Sequence, residues 1–306
     1  MINRRRIFGA TIAVVAMLGV PAAALADEIR IDHAKGQTVL PENPKKVIVF
    51  DLASIDTLDA LGVEIAGVPN GKFPAHLAKY GGDAFAKVGS LFEPDLEAIN
   101  AAQPDLVIVG GRSSAKYDAV AAIAPTIDLT VDQTNFVASG KKNAETLAKL
   151  FGKEAEAKQK LATLDATIVK TREAAANAGK GLIVLTTGGK MSAYGPGSRF
   201  GVLYSDYGVM PAREDLKTSN HGQAASFELI LETNPDWLFV IDRDAAVGRE
   251  GQSAAQYLDN ELVAQTTAWK NGQVVYLNSA NWYLIGGGLQ AMQQNAEQIG
   301  KALRKE

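Results

Sequence analysis

The feature that most limits what this chain can fold into is a segment written twice. The first copy, EAINAAQPDLVIVGGR, starts at Glu97; the second, ELILETNPDWLFVIDR, starts at Glu228. In each, a proline (Pro104, Pro235) follows the glutamate by seven residues, and an arginine (Arg112, Arg243) follows it by fifteen. A helical stretch, a proline turn, a buried strand and an arginine past the strand end therefore recur in register. Such repetition implies two related halves, each unable to bury its apolar faces without a sheet of its own.

The rest of the chain fits two α/β lobes. KVIVFD (46–51), DLVIVGG (105–111), GLIVLTTGG (181–189), DWLFVID (236–242) and QVVYLN (273–278) read as buried strands, separated by helical patterns. Strand–helix alternation predicts βα units and mostly parallel, Rossmann-like sheets. Residues 143–177 differ, being rich in Ala, Lys, Glu and Leu and free of proline. Strong helix formers at this density predict a long helix, broken near Gly152, that joins the lobes as a spine. The expected organisation is an N-terminal lobe over 27–142, an interlobe helix over 143–179 and a C-terminal lobe over 180–306.

The first residues stand outside that scheme. Arg4, Arg5 and Arg6 precede an apolar run from Ile7 to Val20, then Pro21 and an Ala-Leu-Ala site at residues 24–26. This is the pattern of a cleaved secretory signal, too short to span a bilayer, which needs about 20 apolar residues. Both Sec and twin-arginine export suit it. Cleavage at Ala26 removes three arginines and no acid, leaving 28 basic against 34 acidic residues and a net charge near −6. That charge argues against nucleic acid as a partner. No cysteine is present, so neither a disulfide framework nor a lipid-bearing cysteine is expected, and the reading is a freely diffusing monomer in the periplasm.

Ligands of open α/β sheets sit outside the carboxyl ends of strands, where Arg112 and Arg243 fall, one per half. Arg199 joins them in the glycine-rich loop YGPGSRFG. Guanidinium groups stay charged and offer planar donors suited to phenolate or carboxylate oxygens. Three of them in one cleft of an acidic protein would focus attraction for an anion. His221, in TSNHGQAASFE, and Tyr283, in NWYLIGGGLQA, carry donors that suit iron. Each of these residues taken singly also fits a bland role: a surface ion pair, a loop histidine, a packing tyrosine. The glycines at 286–288 read as room for a bulky ligand to approach the backbone.

The strings TSNHGQAASFELILETNPDWLFVIDRDAAVG, NWYLIGGGLQA, VIVGGR and YGPGSRFG resemble the ferric-catecholate binding proteins of bacterial ABC importers, the class III periplasmic binding proteins for enterobactin-type and petrobactin-type siderophores. The resemblance spans essentially the whole mature chain. It implies that His221 and Tyr283 ligate iron when a bis-catecholate supplies only four oxygens. It further implies that Arg112, Arg199 and Arg243 balance the catecholate charge, and that Glu97 and Glu228 dock on a membrane permease. No intrinsic cofactor is expected; Fe(III) arrives as the siderophore complex. Binding proteins of the same build for haem, a cobalamin or a hydroxamate siderophore remain the alternatives. An enzyme is disfavoured, since G-x-S-x-G, P-loop and H-E-x-x-H patterns are all missing.

Overall fold

A computed structural model describes residues 28–306, so the signal sequence and its cleavage site lie outside the described residues. The chain opens with an antiparallel hairpin, β1 (Glu28–His33) and β2 (Gly36–Pro41). The first sheet comprises β3 (Val47–Val49), β4 (Gly67–Asn70), β5 (Ala86–Ser90), β6 (Leu106–Val109) and β7 (Thr126–Asp128). Its order is β5-β4-β3-β6-β7 and every pairing is parallel. Strands buried on both faces need no alternation, and VIV and LVIV are apolar throughout.

The second sheet is built on the same plan with one change. It contains β8 (Lys180–Thr187), β9 (Lys190–Tyr194), β10 (Met210–Pro211), β11 (Gln223–Ala225), β12 (Trp237–Asp242) and β13 (Val274–Tyr276). The order is β11-β9-β8-β12-β13, with the short β10 beside the start of β8. Strands β8, β12 and β13 run parallel, whereas β9 folds back on β8 as a hairpin and β11 adds antiparallel to β9.

The two copies of the repeated segment are alike down to their caps. The helix Leu96–Ala102 is capped by Asp95 and the helix Phe227–Thr233 by Ser226, each accepting from the amide three residues on. Each ends in a left-handed residue, Gln103 (φ 45°) or Asn234 (φ 41°), just before its proline. The aspartate after that proline then holds the base of the sheet: Asp105 accepts from the Lys46 amide at 2.8 Å and Asp236 from the Lys180 amide at 2.7 Å.

The connection between the sheets carries the break expected near Gly152. It consists of the helices Phe136–Phe151 and Glu154–Ala175, parted at Gly152, whose φ of 62° suits glycine. The first helix starts seven residues ahead of the expected Asn143. Its early residues Phe136 and Val137 join the core around the second sheet, and its late residues Leu147 and Phe151 join that of the first. The C-terminal helix Leu289–Arg304 lies along this pair, with Gln293 donating to Thr167 and Thr171 donating to the Ala296 carbonyl. Three helices, rather than one, share the task of linking the lobes.

That C-terminal helix is capped by the opposite lobe. Its N-cap, Gly288, has no side chain to offer. The carboxylate of Asp56, fully buried in the helix Leu52–Ala60, accepts instead from the amides of Gln290 (2.7 Å) and Ala291 (3.2 Å). His76 completes the shell of Asp56 at 2.7 Å. Burial pushes the Asp56 carboxyl above its usual range, against the opposing pull of His76 and the helix amides.

Candidate functional site

Arg112 leaves the end of β6 after two glycines, and Arg243 begins the helix Arg243–Val247 directly after β12, with Asp242 as its cap. Arg199 projects from the turn that follows β9, which is fixed by the Ser198 hydroxyl donating to the Gly195 carbonyl at 2.6 Å. Tyr283 sits in the helix Ser279–Leu284, reached from the end of β13. Four separate strand ends thus deliver four side chains to one place between the lobes.

The three arginines close around the tyrosine. Arg112 and Arg199 each donate to the Tyr283 carbonyl, at 2.9 and 2.7 Å, and Arg243 donates through Nε to the phenol oxygen at 2.8 Å. The guanidinium carbons stand 5.2, 4.4 and 5.5 Å from the ring centroid, within cation–π range. Burial raises the Tyr283 phenol, but the Arg243 hydrogen bond and the charges of Arg199, Arg243 and Arg112 outweigh it and leave the phenol below its ordinary pKa. A phenol so placed releases its proton to solvent more readily when its oxygen binds an oxophilic cation. Burial, with the charge of Arg112 nearby, lowers Arg199 in turn, the signature of cations gathered ahead of an anion.

Arg112 and Tyr283 line two adjoining chambers. One continues inward past Arg199 to Phe136, Phe200 and Trp282; the other opens past Arg243 to Lys72, Phe73 and Phe92. Trp282 serves as a wall: it is 5% exposed and meets Phe200 and Tyr207 edge-on. The glycine run at 286–288 serves the scaffold as well. A Cβ on Gly287 would strike Val131, and one on Gly288 would strike the Asp56 carboxylate. Gly287 and Gly288 thus admit the first lobe, while Gly286 and Gly287 also line the inner chamber and leave its wall without side chains.

His221 stands apart from the cage. It is exposed in the turn before β11, its amide donates to the Ser219 hydroxyl at 3.2 Å, and it lines neither chamber. Its neighbour Gly222 nonetheless lies against the ring of Tyr194, and Tyr194 packs 4.7 Å from Phe200 of the inner chamber. The turn therefore forms a shoulder of the site. Glu97 and Glu228 are exposed, each the second residue of its capped helix, one on either lobe. Lys72, Phe73 and Phe92 are lining residues that the sequence did not single out, and no motif surrounds them.

Two sheets of related topology, with a cationic cleft at their strand ends and helices linking them from behind, define a two-lobed ligand-binding protein. The chain belongs to the periplasmic binding protein family, which matches residues 47–280. It is 44% identical to the petrobactin-binding protein YclQ of Bacillus subtilis over 91% of this chain and 89% of the relative. The crystal structure of that relative superposes with a TM-score of 0.88, covering 92% of this chain and 100% of the other. The catecholate-siderophore binding protein VctP of Vibrio cholerae is 34% identical with a TM-score of 0.84, covering 92% and 100%. The ferric-anguibactin-binding protein FatB of Vibrio anguillarum is 33% identical over 88% of this chain and 85% of its own.

Proposed function

We propose that this chain is an exported, non-catalytic substrate-binding protein that captures an anionic ferric catecholate siderophore between its lobes and hands it to an ABC importer. The carrying observation is the arginine cage: guanidiniums from both lobes converge on one tyrosine whose phenol they lower. A catecholate chelate is multiply anionic, matching three fixed cations that need no proton change to receive it. Relatives named for petrobactin and for catecholate siderophores, alike in fold over nearly all of the chain, support the same cargo.

In this reading the chelate enters between the lobes and takes over the hydrogen bonds that the arginines now spend on Tyr283. The Tyr283 phenolate binds Fe(III), the ordinary partner of a hard oxygen donor. His221 fills the remaining position once its turn folds inward, and a neutral imidazole is required for that. The loaded monomer presents Glu97 and Glu228, one from each lobe, to arginines of an inner-membrane permease. The signal sequence is removed near Ala26.

The test is a visible titration with a ferric bis-catecholate. The charge-transfer band should shift on binding, and Tyr283→Phe should abolish the shift. The double variant His221→Ala with Tyr283→Phe should weaken a tetradentate bis-catecholate far more than a hexadentate tris-catecholate. Equal losses for both chelates would remove the direct-ligand role. Tight binding of haem with a Soret band and indifference to bis-catecholate would replace the cargo altogether.

A further inference from the structure

Lys72 has no role in the scheme above, yet its placement is unusual. It follows β4 in the first lobe, is exposed, and makes no ion pair among the described residues. Its stem crosses to the other lobe, where a Cβ built on Gly248 would come within 2.7 Å of the Lys72 Cδ. Gly248 ends the short helix that Arg243 begins, and its φ of 70° independently favours glycine. The ammonium lies 3.3 Å from where that Cβ would sit, beside the C-terminus of the short helix.

The two chambers beside Tyr283 also differ in charge. The inner one pairs Arg112 and Arg199 with the buried carboxyl of Asp51. The outer one collects Lys72, Arg112 and Arg243 with Phe73 and Phe92, and no Asp or Glu lines it. Phe92 is 59% exposed, an apolar ring left facing water beside three cations. Asp244, 3.8 Å from Arg243, offsets one of these charges, and a flat face beside the positive charge that is left is complementary to an aromatic ring carrying ionised oxygens.

Building on the proposed function, we infer that the outer chamber is a subsite for one doubly ionised aromatic arm of the chelate, and that Lys72 is its specificity-determining residue. Tyr283 then stands between two arms. The arm in the outer chamber meets the larger positive charge, and Lys72 turns from its place beside Gly248 to bond its phenolate oxygens. A chelate with uncharged arms would find an ammonium it cannot satisfy, which gives discrimination as well as attraction.

The experiment uses the whole mature protein and the ferric complex of a synthetic linear bis-catecholamide, with affinity read from tryptophan quenching. Lys72→Met should weaken binding about tenfold, the weight of one charge-assisted hydrogen bond. Lys72→Arg should restore it to within about twofold, since the charge and donors return. Lys301→Met, which removes the same charge from the C-terminal helix, should leave affinity unchanged. Ligand-free melting should be the same for all three, because Lys72 has no ion pair to lose. Equal affinity of Lys72→Met and wild type, or equal losses for Lys72→Met and Lys301→Met, would overturn the subsite. Failure of the wild-type protein to bind the bis-catecholamide complex would instead overturn the proposed function.

Discussion

Tyr283 is held only six residues before a helix that the opposite lobe caps, so the cap should control the site. Replacing Asp56 by Ala strips the buried Gln290 and Ala291 amides of their acceptor, a loss of about 1 kcal/mol for a helix N-terminus. It also removes the charge-assisted bond from His76, which contributes about 1.5–3 kcal/mol. The expected destabilisation is about 2.5–4 kcal/mol, a fall in Tm of roughly 5–16 °C for a chain of this size. Asp56→Asn should be far milder. Its oxygen can still face the amides while its NH2 group donates to His76 in the neutral tautomer. The Asn variant exchanges a charged acceptor for a neutral one with its partners retained, and a cost of about 1 kcal/mol is expected. Differential scanning calorimetry separates the two variants, and the bis-catecholate titration should show weakened binding for Ala but not for Asn. If Ala and Asn melt within a degree of each other, the carboxylate does not cap the helix in the way described, and the coupling from Asp56 to Tyr283 fails with it.

The Tyr283 phenol is lowered in the fold, so the ionised form is the one the fold favours; its contribution is present above the unfolded value near 10 and is lost as pH falls through the folded value. In a 295 nm titration, one tyrosine should ionise ahead of the others, and Tyr283→Phe should delete that first step; an unchanged curve would contradict the cage electrostatics. Tyr204 and Tyr207, raised by burial, should ionise only when the protein unfolds. Gly287→Ala places a methyl against Val131 and should cost about 1–3 kcal/mol by overpacking, with a matching loss of chelate affinity as the Tyr283 loop shifts. Unaltered melting would show that the lobes part there without strain.

Much of this architecture is legible in the sequence because the central strands are uninterrupted β-branched runs flanked by turn residues. The inner strand β4, between β5 and β3, is not, since its four residues GVPN carry glycine and proline, and the edge strand β7 is only three residues long. The helix at Phe136 hides its first two turns behind Gly140. That glycine reads as a breaker, yet it is required because Met292 and the Gly287 carbonyl press against it. Arg112 and Arg243 are legible through repetition, and Arg199 and Tyr283 through their glycine-rich loops. Lys72 has no such signal: only the approach of Gly248 from the other lobe gives it a place in the cleft. The glycines at 286–288 show the converse, a sequence that announces close approach without saying what approaches.

The difference between the two halves explains why the site is lopsided. Both halves contain the capped helix, the proline, the sheet-anchoring aspartate and the terminal arginine. In the first sheet the strand beside β3 is the parallel β4, whereas in the second the strand beside β8 is the antiparallel β9. A hairpin at that position returns the chain at once to the cleft, bringing the Arg199 turn, and its outer edge accepts β11, bringing the turn of His221. The first lobe has no counterpart of that hairpin, and it brings to the cleft Arg112 and the carboxyl of Asp51. Both proposed iron ligands therefore hang from the second lobe. If they ligate iron together, the movement required is a refolding of the Ser219–Gly222 turn, not a swing of one lobe onto the other. Helices that tie the lobes together from behind, locked by Asp56, are then no obstacle to capture.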